Sequence, residues 1–378
     1  MPEPIAQRPT IAEINLDNLA SNFHASKKVI GGNVKYMAVV KANAYGHGAI
    51  ECAKRLEEEG VDWCGVAIPE EGVELREAGI TSPILCLGSF WPGQESMVLD
   101  CDLTPVIFDL DTAACLSRAA GNKNVDIHLK IDTGMGRVGI RYETAAPFAE
   151  ALRTFPNLTV TGLMTHFAAA EDANQSEFTR LQISRFNDVC DAFAHSGHQP
   201  QLFDLANSPG AILHPDSRGN MVRLGGAVYG LLDDILPDAA ECPILKPVLS
   251  LRSRIAQVKN ISKGESLGYG RTFTTKRESL IALVPIGYAD GYSRGLSNKG
   301  KSIVNGSIVP VVGRVSMDWT LLDVTDVSNV KVNDEVVFIG SDGTNAIAAG
   351  DLARELGTIG YEITCGISAR VPRVFTER

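Results

Sequence analysis

The chain has 378 residues, 44% of them apolar, and a formal net charge of -10 with no long run of either sign, which argues for more than one domain and against a nucleic-acid or membrane-surface partner. No apolar segment approaches the roughly 20 residues that span a bilayer. The N-terminus MPEPIAQRPTIAEINLDNL carries prolines and acids where an export signal has a basic start and an apolar run, so the cytoplasm is the expected location.

Residues 11–16 alternate apolar and polar as a lone strand, open to pairing with a second domain, and Asp17 then caps a helix through about Lys28. From Val34 a regular pattern sets in. Strands are expected at 34–40, 62–68, 83–89, 104–108, 125–131, 159–166, 201–206 and 221–224. Helical periodicity fills most of the gaps, clearest at 69–79, 143–154 and 175–196. Strand alternating with helix means parallel pairing through right-handed crossovers, and eight repeats fit a closed (β/α)8 TIM barrel better than an open sheet. The acidic, proline-bearing stretch from Leu232 to Pro247 reads as a linker. Beyond it come short alternating runs such as Ser250 to Val258, Leu280 to Ile286, Ser302 to Val312 and Glu335 to Ile339, with one helix at 349–356. The expected division is a barrel over 10–240 and a C-terminal mostly-β domain over 241–378. Eight cysteines are scattered with no C-x-x-C and no paired histidines, which reads as reduced, mostly buried thiols and no metal site.

In such a barrel the functional groups lie at the C-terminal ends of the strands. The first end presents Lys41, and the fifth presents Lys130, Asp132 and Arg137. The sixth gives His166, the seventh Asn207 and Ser208, and the eighth Arg223, Gly225 and Gly226. Each alone has an ordinary structural explanation: a core histidine, a surface ion pair, a helix cap before Pro209. Convergence at five strand ends is harder to explain that way. Phosphate in these barrels is commonly held after strands seven and eight, where a small residue lets an oxygen approach the backbone. Ser208, Gly225 and Gly226 meet that need, and a lysine across the mouth then suggests pyridoxal 5'-phosphate (PLP) in Schiff-base linkage.

The segment AVVKANAYGHG (38–48) looks like the PLP-lysine signature of the alanine racemases. KIDTGMGRVGIR (130–141), GLMTHFA (162–168), ANS (206–208) and VRLGGAVYG (222–230) follow in that family's order. So do GYGRTF (268–273), PIGYADGYSR (285–294), VGRVSMD (312–318) and GYEITCGISARVPR (360–373). The barrel half alone also resembles small single-barrel PLP-binding proteins, so the second domain discriminates.

The resemblance implies that Lys41 bears the cofactor and is one catalytic base, with Tyr269 the other. It implies that Tyr45, Asn207, Ser208, Gly225, Gly226 and Tyr361 hold the phosphate or its surroundings, and that Arg223 faces the pyridine nitrogen. His166 and Arg223 are then the groups that ease the tyrosine toward its phenolate. Arg137, Met317 and Asp318 are implied at the substrate carboxylate, with Tyr288, Arg294 and Tyr361 along the entrance. Lys130 matches a lysine that is carbamylated in several family members. The family builds each site from two subunits, so a homodimer is implied. The expected reaction is interconversion of L- and D-alanine, supplying D-alanine for peptidoglycan. The alternatives are racemisation of a broader set such as serine, lysine or arginine, a PLP carrier without turnover, and a decarboxylase on the same plan.

Overall fold

The computed structural model describes residues 8–236 and 243–377. Contacts divide the chain into two compact units: Leu19–Lys246, and a second that joins the N-terminal segment through Asn18 to the chain from Pro247 onward. Part of the expected linker, residues 237–242, lies outside the described residues.

The first unit is a closed parallel barrel of eight strands. They are β1 (Lys35–Val39), β2 (Trp63–Val66), β3 (Ile84–Cys86), β4 (Leu103–Ile107), β5 (Val125–Asp132), β6 (Leu158–Met164), β7 (Leu202–Asp204) and β8 (Met221–Leu224). Each pairs with the next, and β8 returns to β1 with Arg223 opposite Met37, which closes the ring. All eight expected strands form: those expected at 34–40, 62–68, 83–89, 159–166 and 201–206 are shorter by one to four residues, while the other three match to within a residue. The inner face is filled by Met37, Leu85, Val106, Met164 and Met221, all essentially inaccessible. Burying each such side chain contributes about 1.5–3 kcal/mol. Gly65 makes room for this layer, because a Cβ there would stand 2.9 Å from the Met37 sulfur.

The helices expected at 69–79, 143–154 and 175–196 appear as Pro69–Glu77, Ala145–Leu152 and Ser176–His195. The last buries Phe186, Val189 and Phe193, a stripe at helical spacing.

In the second unit, strand Ile11–Asn15 pairs antiparallel with Leu249–Arg254 and parallel with Arg373–Thr376. The same sheet continues through Glu335–Asp342 and Lys301–Val304 to Ser307–Pro310, with Asn345–Ile347 beside Glu335–Asp342. The run expected as one strand from Ser250 to Val258 divides. Buried Ile255 donates its N–H to Asp334 O, and Ala256 donates its N–H to Leu283 O. The chain thereby switches from the large sheet to a three-stranded one of Gln257–Ile261, Ser279–Val284 and Thr320–Asp323. The helix expected at 349–356 is Ala349–Leu356. A second helix, Gly360–Cys365, escaped the sequence reading because glycine, tyrosine, isoleucine and threonine are weak helix formers.

Candidate active site

Lys41 lies two residues beyond the end of β1 and is half-buried. The segment after it is a left-handed helical turn in which Ala42, Asn43, Ala44 and Tyr45 have φ of 52°, 53°, 53° and 54°. Four consecutive non-glycine residues in that region cost roughly 1–2 kcal/mol each, so the surroundings must hold them. They do. Ala44 N–H donates to Val40 O at 2.8 Å and Gly48 N–H to Asn43 O at 2.9 Å. Asn43 Oδ1 accepts from Ala49 N–H at 2.8 Å, tying the turn to helix Ala49–Glu58. Tyr45 and buried His47 both pack on Tyr229, with ring centroids 5.1 and 4.7 Å apart, and the Tyr229 hydroxyl donates to Val39 O at 2.9 Å.

Arg223, on β8, is buried, and both of its terminal nitrogens are engaged. Its Nη1 donates to Asp204 O at 3.1 Å and ion-pairs with Asp204 Oδ1. Its Nη2 donates to Thr165 O at 2.9 Å and to His166 Nδ1 at 3.2 Å. Burial, then the guanidinium, push the His166 imidazole well below its usual range, so the ring is neutral with its proton on Nε2. Buried Lys130 donates from Nζ to the same Thr165 carbonyl at 3.1 Å. Burial first, and Arg223 next, hold its ammonium well below the lysine range. The acid that offsets these cations is Asp204 rather than Asp132. Burial pushes the Asp204 carboxyl up against the pull of Arg223, and its Oδ2 is buried without a partner. Asp132 instead accepts from Gly134 and Gly136 N–H, each at 3.0 Å, and from Arg141 at 3.1 Å. Arg137 is exposed, though near enough for its charge to reach Lys130 and His166.

The seventh and eighth strand ends form a cradle. Asn207 caps helix Ser208–Leu213, its Oδ1 accepting from Gly210 N–H at 3.2 Å. Buried Ser208 Oγ accepts from Gly225 N–H at 2.9 Å and from Ala227 N–H at 3.4 Å. A Cβ on Gly225 would stand 2.7 Å from the Tyr45 phenol oxygen. Gly226 follows at the start of the turn Gly226–Tyr229. A hydroxyl, a phenol and glycine-lined backbone N–H groups, with a guanidinium on the same strand, are the donors a phosphorylated heterocycle requires, so the residues fit PLP. Asp204 and Thr165 were missed as site residues. The one signal for Asp204 is an acid on an inward position of a buried strand.

The second unit gathers the remaining candidates. Tyr269 heads the turn Tyr269–Arg271 and is 71% exposed. The Arg314 guanidinium flanks this turn, since a Cβ on Gly270 would lie 3.2 Å from its carbon. Tyr288 N–H bonds Ser316 O and Ala289 N–H bonds Met317 O, both at 3.0 Å, which joins two of the segments read from sequence. Tyr288 and Met317 are exposed. The Asp318 carboxylate accepts from Arg370 at 2.7 Å, so it is already satisfied by a cation and suits a carboxylate ligand poorly. Tyr361 is half-buried on helix Gly360–Cys365, and Arg294 begins the turn Arg294–Leu296.

Comparison with known proteins shows the family. Residues 14–233 match the alanine racemase N-terminal domain and residues 248–375 the alanine racemase C-terminal domain. The alanine racemase of Halothermothrix orenii is 44% identical over 373 residues, covering 98% of both chains, and that of Geobacter sulfurreducens is 44% identical, covering 97% of both. Among solved structures, alanine racemase from Clostridium difficile 630 superposes with a TM-score of 0.91 at 38% identity, covering 98% of this chain and 96% of that one. The Bacillus anthracis enzyme with bound L-Ala-P gives 0.92 at 35% identity, covering 99% and 97%. With both halves matched in order over nearly its whole length, the chain belongs to the alanine racemase family.

Proposed function

We propose that this isomerase interconverts L- and D-alanine by a two-base mechanism, with PLP held by Lys41 in the barrel and with the partner subunit's Tyr269 facing it in a homodimer. When bound, PLP supplies a conjugated ring that takes up electrons as the α-proton leaves. The chain's own residues do the rest. Inversion requires a proton removed from one face and returned to the other, and an amine and a phenol on opposite sides accomplish this without moving the substrate. Lys41 Nζ is the base on one side and the Tyr269 hydroxyl on the other. Ser208, Gly225, Gly226, Asn207, Tyr45 and Tyr361 hold the phosphate and its surroundings.

Arg223 would face the ring nitrogen, and because arginine keeps its proton it would not pass one to the ring. His166, neutral and bonded to Arg223, carries the influence of that charge toward the phenol. Arg137 is the cation for the substrate carboxylate. Met317 and the backbone around Asp318 close the pocket, with Tyr288 and Arg294 at its entrance. The exposure of Tyr269, Tyr288 and Met317 on the second unit supports a surface that a second copy covers. D-Alanine so formed serves peptidoglycan, and the reaction belongs in the cytoplasm.

The buried Arg223 cluster, which aligns a neutral His166 with a permanent cation at the eighth strand end, is the observation that carries this reading. Borohydride reduction followed by peptide mapping tests it: the label is expected on Lys41, and Tyr269→Phe is expected to remove inversion in both directions, which share one equilibrium. Reduction at another lysine, or full inversion by the phenylalanine variant, sinks the proposal. Incubation with each L-amino acid in deuterated water, following α-proton exchange and optical rotation together, separates alanine from a broader substrate set.

A further inference from the structure

The left-handed turn behind Lys41 is fastened from outside the signature segment by a residue to which neither the reaction nor the family resemblance assigned a role. Glu71 lies on helix Pro69–Glu77, after β2, and is half-buried. Its two carboxylate oxygens take separate backbone donors: Oε1 accepts from Ala42 N–H and Oε2 from Ala67 N–H, each at 2.7 Å. Ala42 is the first strained residue, adjacent to Lys41. Ala67 directly follows β2, the ladder neighbour of β1, with Val39 opposite Gly65. One carboxylate therefore spans from the end of a rigid strand to the first residue of the turn.

We propose that Glu71 is a positioning residue for Lys41, a latch that keeps the left-handed turn wound and so aims the lysine amine into the barrel mouth. Ala42 and Ala44 have no side-chain hydrogen bonds with which to resist unwinding. The internal bonds of the turn close only once it has formed. A bond to Ala42 N–H from outside the turn is what selects the wound state over an extended one. A carboxylate is needed for this because both partners are donors. Glutamine offers one acceptor oxygen and an NH2 group that cannot receive the second N–H. This inference rests on Lys41 being the catalytic lysine.

The test uses the holoenzyme and Glu71→Gln, with Glu71→Asp as a second variant that keeps both acceptors at shorter reach. Glu70→Gln is the control, because Glu70 is exposed and bonds only the Gln94 side chain at 2.6 Å among the contacts described. Displacement of a reacting group by about 1 Å lowers turnover on the order of 100-fold. The glutamine variant is expected to lose between about tenfold and 100-fold in kcat, with KM for alanine changed by less than about threefold. The aspartate variant is expected to fall between it and the wild type. Amide hydrogen exchange, read by mass spectrometry, is expected to quicken in peptides covering 41–48 and to stay unchanged in the other strands.

Wild-type kcat in Glu71→Gln, unchanged exchange over 41–48, or equal losses in Glu70→Gln would each overturn the latch. Failure of both Glu71 variants to fold would also overturn it, in favour of a purely structural role. Borohydride labelling elsewhere than Lys41 would instead overturn the functional reading, while the exchange measurement still reports on the turn.

Discussion

Arg223 Nη2 donates to His166 Nδ1 at 3.2 Å, a contact that settles the tautomer of the imidazole and makes it a neutral link rather than a second cation. The same guanidinium serves the Asp204 carboxylate and three carbonyls, so one side chain organises three strand ends. A lysine at this position keeps the charge but lacks the planar fork. Arg223→Lys is expected to lower kcat by at least about tenfold, since its single ammonium cannot satisfy Asp204, Thr165 O and His166 together. Steady-state racemisation measures this.

Asp204 is the counter-ion on which that arrangement depends. Removing one partner of a buried ion pair typically costs about 3–5 kcal/mol, because the other is left charged in a low-dielectric interior. Asp204→Asn is therefore expected to unfold at clearly lower urea concentration than the wild type. An unchanged midpoint would falsify the assignment of Asp204 as the compensating charge.

Lys130 is proposed to be carbamylated. Burial, and Arg223 next, lower the pKa of its ammonium, which enlarges the neutral fraction, the form that adds carbon dioxide. The product is an anion set among Arg223 and Arg137, where a cation would be opposed. Growth or equilibration with 13C-bicarbonate is expected to give a carbamate carbon signal that Lys130→Gln lacks. Loss of the group in acid means the spectrum has to be taken near neutral pH.

His128 gives a pH-dependent stability that involves no site residue. It is completely buried on β5 with both ring nitrogens unpaired, and burial pushes its pKa down to about 4 from 6.5. The unfolded chain takes up a proton as pH falls through 6.5, while the folded chain does so only near 4. Stability is thus fully present above 6.5 and is lost toward 4, by about 3 kcal/mol for a shift of this size. Unfolding midpoints measured from pH 7 to 4 are expected to fall less steeply in His128→Met. Gly162 gives a companion test: a Cβ there would lie 2.5 Å from the His128 ring, so Gly162→Ala is expected to destabilise by about 1–3 kcal/mol.

The proposed phosphate cradle has little tolerance. A methyl group in Gly225→Ala would meet the Tyr45 phenol oxygen at 2.7 Å and force the ring away from its place. The expected outcome is weaker retention of PLP, by about tenfold or more, on dialysis at fixed free cofactor. Equal retention by the variant and the wild type would count against this placement of the phosphate.

The barrel was legible in the chain because its eight apolar runs alternate with helices whose buried stripes repeat at helical spacing, and local pattern is enough to specify such units. The lysine at the end of the first strand and the serine and glycines at the last two were legible for the same reason: strand ends fix which groups share a mouth. Sequence could not supply the partners of those groups. Asp204 rather than Asp132 compensates the buried cations, Arg370 occupies Asp318, and the chain at Ile255 leaves one sheet for another. The left-handed winding at Ala42–Tyr45 was equally hidden, since alanine and tyrosine do not favour it and the groups that contact it include Glu71 and Tyr229 from distant segments. Periodicity determined which elements exist, whereas burial, and the pairing of charges that burial enforces, was decided only when distant segments came together.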